Sequence, residues 1–174
     1  MKFAYADPPY IGQVKRHYPG GTEVNWRVLI GTLAEYFPDG WALSLASKDL
    51  AVILPMCPDG VRVLAWVKPF CSFKPNVRVA YSWEPVIMWG GRKRGREVPT
   101  VRDWVSANAT NRRGVHGAKP FAFSMWLFKC LGAERDDEFV DIFPGSGAVQ
   151  EAWECYCGRG WQLVWDRVQE EYNV

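Results

Sequence analysis

The sequence lacks the long apolar runs that anchor proteins in membranes. No stretch approaches the roughly 20 apolar residues that a membrane-spanning helix needs. The first six residues form a short strand-like run that is followed by an acid. That beginning has neither the longer apolar core nor the cleavage site of a signal peptide. We therefore expect a cytoplasmic protein that makes no use of a membrane.

Histidine is scarce, with two residues, and the cysteines number five. An odd cysteine count gives no complete disulfide framework and is typical of a compartment in which thiols stay reduced. Cys155 and Cys157 form a single C-x-C pair with no histidine nearby. Zinc sites usually combine two such pairs. We therefore expect no bound metal.

Internal repeats, low-complexity tracts and linker-like stretches are also missing from the 174 residues. The length fits one domain, so we expect residues 1–174 to form a single unit. The hydrophobic fraction of 48% is ample for one packed core and too high for a disordered chain. Net charge is only +2, so the chain as a whole does not indicate a polyanionic partner.

Positive charge is nevertheless concentrated in residues 90–118, which we call the basic segment. Its arginines and lysine are Arg92, Lys93, Arg94, Arg96, Arg102, Arg112 and Arg113. A basic stretch in a balanced domain is a candidate surface for phosphate groups, although most charge runs are solvated loops. The segment has little periodicity, which predicts a long loop, and long loops in compact domains are usually functional.

Hydrophobic patterning outside this segment predicts alternating strands and helices. Strands are predicted over 3–6, 41–46, 61–67, 81–89, 139–143 and 162–165, and helices over 26–37, 47–56, 121–131 and 148–156. Ser47 is a plausible cap of the second helix, and Gly132 follows the third as a C-terminal cap. Glu84-Pro85 interrupts the fourth strand and indicates an edge strand or a bulge. The alternation predicts a mostly parallel sheet with helices on both faces.

A glycine motif follows the strand predicted over 139–143. Gly145 and Gly147 lead from that strand into a helix, and a strand, G-x-G and helix in succession can cradle a nucleotide-like cofactor. Asp141 lies at the strand end. Asp166 ends the next predicted strand, where Rossmann-type folds place an acid on ribose hydroxyls. An ordinary strand-to-helix turn is the alternative interpretation of this short pattern.

A proline motif, Asp7-Pro8-Pro9-Tyr10, follows the first predicted strand. The two prolines make the backbone rigid and leave carbonyls free to accept hydrogen bonds. A carboxylate with an adjacent carbonyl can accept both hydrogens of an amino group and so orient its lone pair. Tyr10 offers a flat face to a base. The alternative interpretation is a plain turn after a strand.

Together these motifs resemble the S-adenosylmethionine-dependent DNA amino-methyltransferases, which make N6-methyladenine or N4-methylcytosine. Asp7 to Tyr10 matches their catalytic motif, and Asp141 with Phe143 to Gly147 matches their cofactor motif. The segment from His116 to Pro120 resembles the His and Lys-Pro segment that precedes the cofactor motif in many members. A catalytic motif that comes before the cofactor motif matches the circularly permuted order of the β group.

This resemblance implies a Rossmann-like class I methyltransferase fold, S-adenosylmethionine as cofactor and a nucleic acid, DNA above all, as partner. It implies that the target base is held by Asp7, Pro8, Pro9 and Tyr10. It implies that the cofactor is held by Asp141, Phe143, Gly145, Ser146, Gly147 and Asp166, with Lys119 on the cofactor or on neighbouring phosphates. We expect the nucleic acid to be contacted by Arg92, Lys93, Arg94, Arg96, Arg112, Arg113 and His116.

Two features depart from the family pattern. Only the basic segment is available as a target-recognition region, which suggests a short recognition sequence, a single-stranded substrate or help from a second subunit. The chain also ends soon after Asp166, so the strand that usually flanks the ribose-binding strand is expected to be absent. A homodimer or an auxiliary specificity subunit could cover the exposed edge.

Other functions stay open at this stage. A related RNA adenine methyltransferase family carries tryptophan where Tyr10 stands, and cytosine enzymes more often have serine where Asp7 stands. Tyr10 therefore favours DNA modestly, and Asp7 favours adenine. A relative of the fold that binds nucleic acid without catalysis is a third possibility, and a nicotinamide-dependent enzyme is a remote fourth.

Overall fold

The computed structural model of the chain describes residues 1–14, 21–70, 76–112 and 115–159. Its strands are β1 (Lys2–Ala6), β2 (Gly40–Ser44), β3 (Arg62–Val67), β4 (Trp83–Gly90), β5 (Trp104–Ser106), β6 (Thr110–Arg112), β7 (Val115–Ala118) and β8 (Glu138–Asp141). Six of them form one sheet in the order β5-β3-β4-β2-β1-β8, and β6 pairs with β7 in a separate antiparallel ribbon.

The helices are α1 (Trp26–Tyr36), α2 (Leu50–Ile53), α3 (Phe121–Leu131) and α4 (Ala148–Tyr156). α1 begins at Asn25, whose side chain accepts the Val28 N–H at 3.2 Å. α3 ends at Gly132, which has a φ of 66° and so takes the left-handed cap conformation predicted from the sequence. Among the residues that the structure describes, no helix combines the length and hydropathy needed to cross a membrane.

Helices cover both faces of the sheet. On one face, α3 and α4 bury a cluster rich in aromatic rings, which includes Phe123, Phe128 and Trp153. On the other face, α1 and α2 bury Trp26 and Ile53 among other apolar side chains. Each such side chain stabilises the fold by about 1.5–3 kcal/mol through burial. This arrangement confirms the predicted Rossmann-like α/β fold with helices on both faces.

Strand direction defines two edges of the sheet. β1 runs parallel to its neighbours β2 and β8, and β3 runs parallel to β5. β4 is antiparallel to both of its neighbours. We call the end at which β1, β2, β3 and β8 finish, and β4 starts, the carboxyl edge. The opposite end, where Gly90 of β4 pairs with Gly40 of β2, is the amino edge.

The fourth strand is internal, and its register with β3 is unbroken from Trp83 to Met88. The prediction of an edge strand or a bulge from Glu84-Pro85 is therefore wrong. The pairing of β4 with β2 ends where Ser44 faces Val86. Pro85 comes one residue earlier in β4, opposite Leu45, which donates its N–H to the Pro85 carbonyl at 3.3 Å. A proline is tolerated there because the ladder bond that it cannot make would lie just beyond the paired part of β2.

The basic segment is not the irregular loop that the sequence predicted. It contains β5, which extends the main sheet by pairing in parallel with β3, and the ribbon of β6 and β7. Each of these strands has only three or four residues. Such short runs show no periodicity in the sequence, and the partner of β5 comes from elsewhere in the chain.

The second predicted helix is divided in the structure. α2 is flanked by two 3-10 turns, Ser47–Asp49 and Leu54–Met56. Ser47 lies inside the first turn, and Ala46 occupies the cap position with no side-chain hydrogen bond. The prediction that Ser47 caps the helix is therefore wrong. The strand predicted over 162–165 lies outside the described residues.

Candidate active site

The proline motif lies at the centre of the carboxyl edge. β1 is flanked by a strand on each side, and residues 3–6 are fully buried. Asp7 is the first residue after β1. Its side chain is 27% exposed, so the carboxylate stands at the top of the core and still reaches the surface. The ligand position just beyond parallel strand ends is where open α/β sheets bind substrates.

Both oxygens of the Asp7 carboxylate lie near hydrogen-bond donors of the protein. The Lys119 ammonium donates to Asp7 Oδ2 at 2.7 Å. The Tyr10 hydroxyl lies 3.3 Å from Asp7 Oδ1. Lys119 precedes α3, and its side chain is 5% exposed. The structure therefore places this lysine against the proline motif, although the two are far apart in the sequence.

Glu84 at the start of β4 completes a closed set of contacts. Its Oε2 accepts the Tyr10 hydroxyl at 2.9 Å and lies 3.5 Å from the Lys119 ammonium. Its Oε1 contacts the Lys68 ammonium. Glu84 was not predicted as a site residue from the sequence, where Glu84-Pro85 was interpreted as an interruption of the strand. The available signal was an acid inside an apolar strand, because a buried carboxylate is costly unless it is paired.

Electrostatics fix the protonation of this set. Burial lowers the pKa of Lys119, but Asp7 and Glu84 outweigh it, so the net pKa lies above the usual value. Burial raises the pKa of Glu84, but Lys119 and Lys68 outweigh it and the net pKa lies below the usual value. Burial, followed by the charge of Asp7, raises the pKa of Tyr10 well above 10.0. At neutral pH Lys119 is therefore cationic, Glu84 anionic and the Tyr10 phenol neutral.

Trp66 of β3 forms a floor beneath the two lysines. Its ring is fully buried. The Lys68 ammonium lies 4.7 Å and the Lys119 ammonium 5.2 Å from the ring centroid. Cations at such distances are attracted by the ring quadrupole, so Trp66 helps to hold both lysines beside Glu84.

The glycine motif lies next to the proline motif at the same edge. β8 pairs in parallel with β1, with Asp141 in register with Tyr5. The chain then turns into α4 through Gly145 and Gly147, whose φ values of 49° and 75° lie in the left-handed region that favours glycine. The Gly147 N–H closes the turn on the Pro144 carbonyl at 2.7 Å. This confirms the predicted succession of strand, tight glycine turn and helix.

Asp141 has a buried oxygen that no described residue satisfies. Its Oδ1 has no hydrogen-bond partner in the part of the chain that the structure describes. Burial and the nearby charge of Asp7 raise the pKa of Asp141 to about 6. Among the described residues, only the Phe143 carbonyl oxygen would lie within 4 Å of a Cβ added at Gly145, at 3.8 Å. The turn therefore has space beside it and an acceptor that a bound donor group would satisfy.

The structure does not bring the first part of the basic segment to this site. Arg92 donates to both carboxylate oxygens of Asp137, at 2.8 and 2.7 Å, beside the beginning of β1. Arg94 lies 3.4 Å from the Lys129 carbonyl near the end of α3. Lys93 and Arg96 are exposed in the same stretch. These residues follow β4 at the amino edge, and roughly 15 Å of strand separates that edge from Asp7.

The remaining predicted site residues are not described in full. The side chains of Arg112 and His116, in β6 and β7, lie outside the described part of the structure, as do Arg113 and Asp166. Their suggested contacts with nucleic acid and ribose stay predictions. Phe143 and Ser146 lie in the glycine turn, as expected.

Comparison with known proteins locates the fold among solved structures. No family model matches the sequence, and no curated protein matches it significantly. The M1.HpyAVI-SAM complex superposes with a TM-score of 0.60 at 16% identity, over 90% of this chain and 78% of that one. M1.HpyAVI alone gives 0.59 at 15%, over 90% and 77%. TTHA0409 from Thermus thermophilus, a suggested DNA modification methylase, gives 0.51 at 17%, over 92% and 84%. At these identities the likeness shows that the chain shares the fold of these proteins.

Proposed function

We propose that this chain is an S-adenosylmethionine-dependent methyltransferase that methylates the exocyclic amine of adenine in DNA and so makes N6-methyladenine. The observation that carries the proposal is the meeting of two distant motifs at one edge. Asp7 and the glycine turn follow adjacent parallel strands. The solved structures of the same fold, one of them a complex with SAM and one a suggested DNA modification methylase, support this assignment.

The residues at the end of β8 fit the cofactor. S-adenosylmethionine, when bound, supplies an electrophilic methyl group on a positively charged sulfur. Asp141 Oδ1, which has no partner among the described residues, would accept a hydrogen from the ammonium or hydroxyl groups of the cofactor. Gly145 and Gly147 allow the backbone to approach the cofactor closely. Phe143 and Ser146 would line the same pocket, and the resemblance assigns the ribose to Asp166.

The residues after β1 would hold and activate the base. Asp7 and the Pro8 carbonyl would accept the two amine hydrogens, which aims the nitrogen lone pair away from them. Positive charge develops on that nitrogen during transfer, and the adjacent carboxylate stabilises it. The Tyr10 ring would stack on the base. In duplex DNA the base must first leave the stack, at a cost of a few kcal/mol.

Finer parts of the proposal rest on single residues. The order of the proline motif before the glycine motif is interpreted as the permuted β-group order. Asp7 favours adenine over cytosine, and Tyr10 favours DNA over RNA. The small size of the region from β5 to β7 suggests relaxed recognition or a second subunit, and this region with its arginines is the proposed contact for nucleic acid.

Nucleoside mass spectrometry tests the proposal. Purified protein is incubated with S-adenosylmethionine and separate pools of duplex DNA, single-stranded DNA and RNA, with Asp7→Ala alongside. We expect N6-methyladenine in DNA and none in the Asp7→Ala reaction. Methylcytosine alone would show that the target is cytosine, and methylated RNA alone would show that the substrate is RNA. Absence of any methylation, together with no binding of S-adenosylmethionine in a calorimeter, would overturn the proposal.

A further inference from the structure

We propose that Glu84 is a positioning residue that accepts the hydrogen bond of the Tyr10 hydroxyl. Asp7 Oδ1 is thereby left free to accept a hydrogen bond from the target amine. The inference rests on the proposed function, in which Asp7 binds that amine. Glu84 belongs to neither the proline motif nor the glycine motif. It reaches the site from β4 and acts through Tyr10.

Two carboxylates compete for the one hydrogen bond that the Tyr10 hydroxyl can donate. The Tyr10 hydroxyl has a single hydrogen to donate and two carboxylates within reach. Glu84 Oε2 is 2.9 Å away, and Asp7 Oδ1 is 3.3 Å away. The shorter distance lies within the usual range for a hydroxyl donor, and the longer one lies beyond it. Tyr10 therefore donates to Glu84.

The competition matters because the other Asp7 oxygen is already engaged. Lys119 donates to Asp7 Oδ2 at 2.7 Å. If Tyr10 also turned to Asp7, both carboxylate oxygens would hold donors of the protein. The target amine would then compete for Oδ1 with a charge-assisted hydrogen bond, and such bonds are the strong ones.

Glu84 is held firmly enough to remain the acceptor of the Tyr10 hydrogen bond. Its side chain is 17% exposed, and Lys68 contacts Oε1 while Lys119 lies 3.5 Å from Oε2. These cations keep the pKa of Glu84 below its usual value against the effect of burial. An ionised carboxylate accepts on both oxygens and has no hydrogen of its own to offer Tyr10.

A double-variant rescue tests the inference. Single-turnover methyl transfer is measured at saturating S-adenosylmethionine for Glu84→Ala, Tyr10→Phe and the double variant. We expect Glu84→Ala to slow transfer about 10–100-fold, because the Tyr10 proton turns to Asp7. Tyr10→Phe alone slows it only a few-fold, and the double variant is faster than Glu84→Ala. A double variant as slow as Glu84→Ala, or slower, would overturn the inference, because a merely structural role predicts no rescue.

Controls separate this role from loss of the fold. Glu35→Ala makes the same change at an exposed position on α1 and is expected to transfer at the wild-type rate. Thermal unfolding reports whether each variant folds. If Glu84→Ala does not fold, Glu84→Gln takes its place. Lys68 and Tyr10 contact different oxygens of Glu84, and an amide places an acceptor oxygen at only one of these two positions.

A crystal structure of the same Glu84 variant gives a readout that needs no activity. We expect the Tyr10 hydroxyl to move from 3.3 Å to about 2.7 Å from Asp7 Oδ1. A hydroxyl that stays at its present distance, or turns to solvent, would overturn the inference. Wild-type protein that methylates no pool and binds no S-adenosylmethionine would reject the proposed function instead, and the crystallographic distance would still decide the role of Glu84.

Discussion

Two aspartates at the two ends of β8 have opposite surroundings. Asp137, just before the strand at the amino edge, accepts hydrogen bonds from Arg92 and from the Met1 ammonium at 2.7 Å. Burial raises the pKa of Asp137, but its donors outweigh burial and the net pKa lies below the usual value. At the carboxyl edge, burial raises the pKa of Asp141 to about 6, and its Oδ1 lacks a partner among the described residues.

The contrast separates charge that stabilises the fold from charge that is available to a ligand. An ionised carboxylate that accepts several hydrogen bonds is more favourable in the folded chain than in water, so it stabilises the fold. A buried carboxylate with an open acceptor costs stability until something donates to it. Both residues lie at the ends of one short strand, so much of the difference comes from the donors that each edge of the sheet brings to the carboxylate.

Asp7→Ala should produce the largest effect. We expect this change at the carboxyl edge to affect methyl transfer and not the binding of S-adenosylmethionine. We expect methyl transfer to fall by at least about 1000-fold, because the amine loses the carboxylate that orients it and stabilises its developing charge. Radiolabelled methyl transfer measures the loss, and calorimetry should show that S-adenosylmethionine still binds. Near-normal turnover of this variant would remove Asp7 from the mechanism.

Asp137→Ala should affect the fold without the chemistry. The side chain of Asp137 is 5% exposed and that of Arg92 is 31% exposed. We therefore expect a loss of about 2–3 kcal/mol in the free energy of unfolding, between the values typical of exposed pairs and of buried pairs. Urea unfolding measures the loss. The rate of transfer per folded molecule should stay at the wild-type value. A parallel fall in that rate would contradict the claim that Asp137 serves the fold alone.

The pH dependence of the same pair follows from the sign of the shift. Because the pKa of Asp137 is lowered in the folded chain, its contribution is present above the ordinary value of 3.8 and is lost as pH falls through the folded pKa. The stability difference between wild type and Asp137→Ala should therefore shrink in acid. A difference that stays constant down to pH 2 would contradict this linkage.

Asp141→Asn should stabilise the ligand-free chain. The folded pKa of about 6 lies above the ordinary 3.8, so the favourable contribution of the protonated acid is present below 3.8 and is lost as pH rises through 6. At pH 7 the wild type carries a buried charge that asparagine avoids, and we expect a gain of about 1–2 kcal/mol on substitution. Urea unfolding at pH 7 and pH 4 measures it, and the gain should vanish at the lower pH.

The smallest effect should come from the exposed basic residues at the amino edge. In a triple Lys93→Ser, Arg94→Ser and Arg96→Ser variant we expect an unchanged kcat. The KM for DNA should rise less than about threefold, because salt screens charges beyond about 10 Å. A large rise in KM with a salt slope reduced by about one per residue would instead show phosphate contacts, as the sequence predicted.

Local patterns predicted most of the elements from the sequence. β1, β2 and β3 have apolar runs that end at charged or turn residues, and α3 ends at Gly132 as its glycine predicts. The glycine turn before α4 was likewise readable, because its φ values need glycine. Each of these features depends on a few adjacent residues, and such features are what one sequence shows best.

Features that depend on strand direction were not readable. Because β4 runs antiparallel to β2, Arg92 lies at the amino edge, away from Asp7. Its expected contact with nucleic acid stays a prediction. The contact of Lys119 with Asp7 joins residues far apart in the chain. Glu84 was interpreted as an interruption because its partners Lys68 and Tyr10 come from other elements. Only the assembled sheet brings them together.

One titration tests the contrast between the two edges most directly. S-adenosylmethionine is titrated calorimetrically at pH 7.5 into wild type, Asp137→Ala and Asp141→Asn. We predict that Asp137→Ala binds as wild type does despite its lower stability. Asp141→Asn, although more stable, should bind at least about tenfold more weakly, because it loses a charge-assisted hydrogen bond. Wild-type affinity in Asp141→Asn would contradict the account.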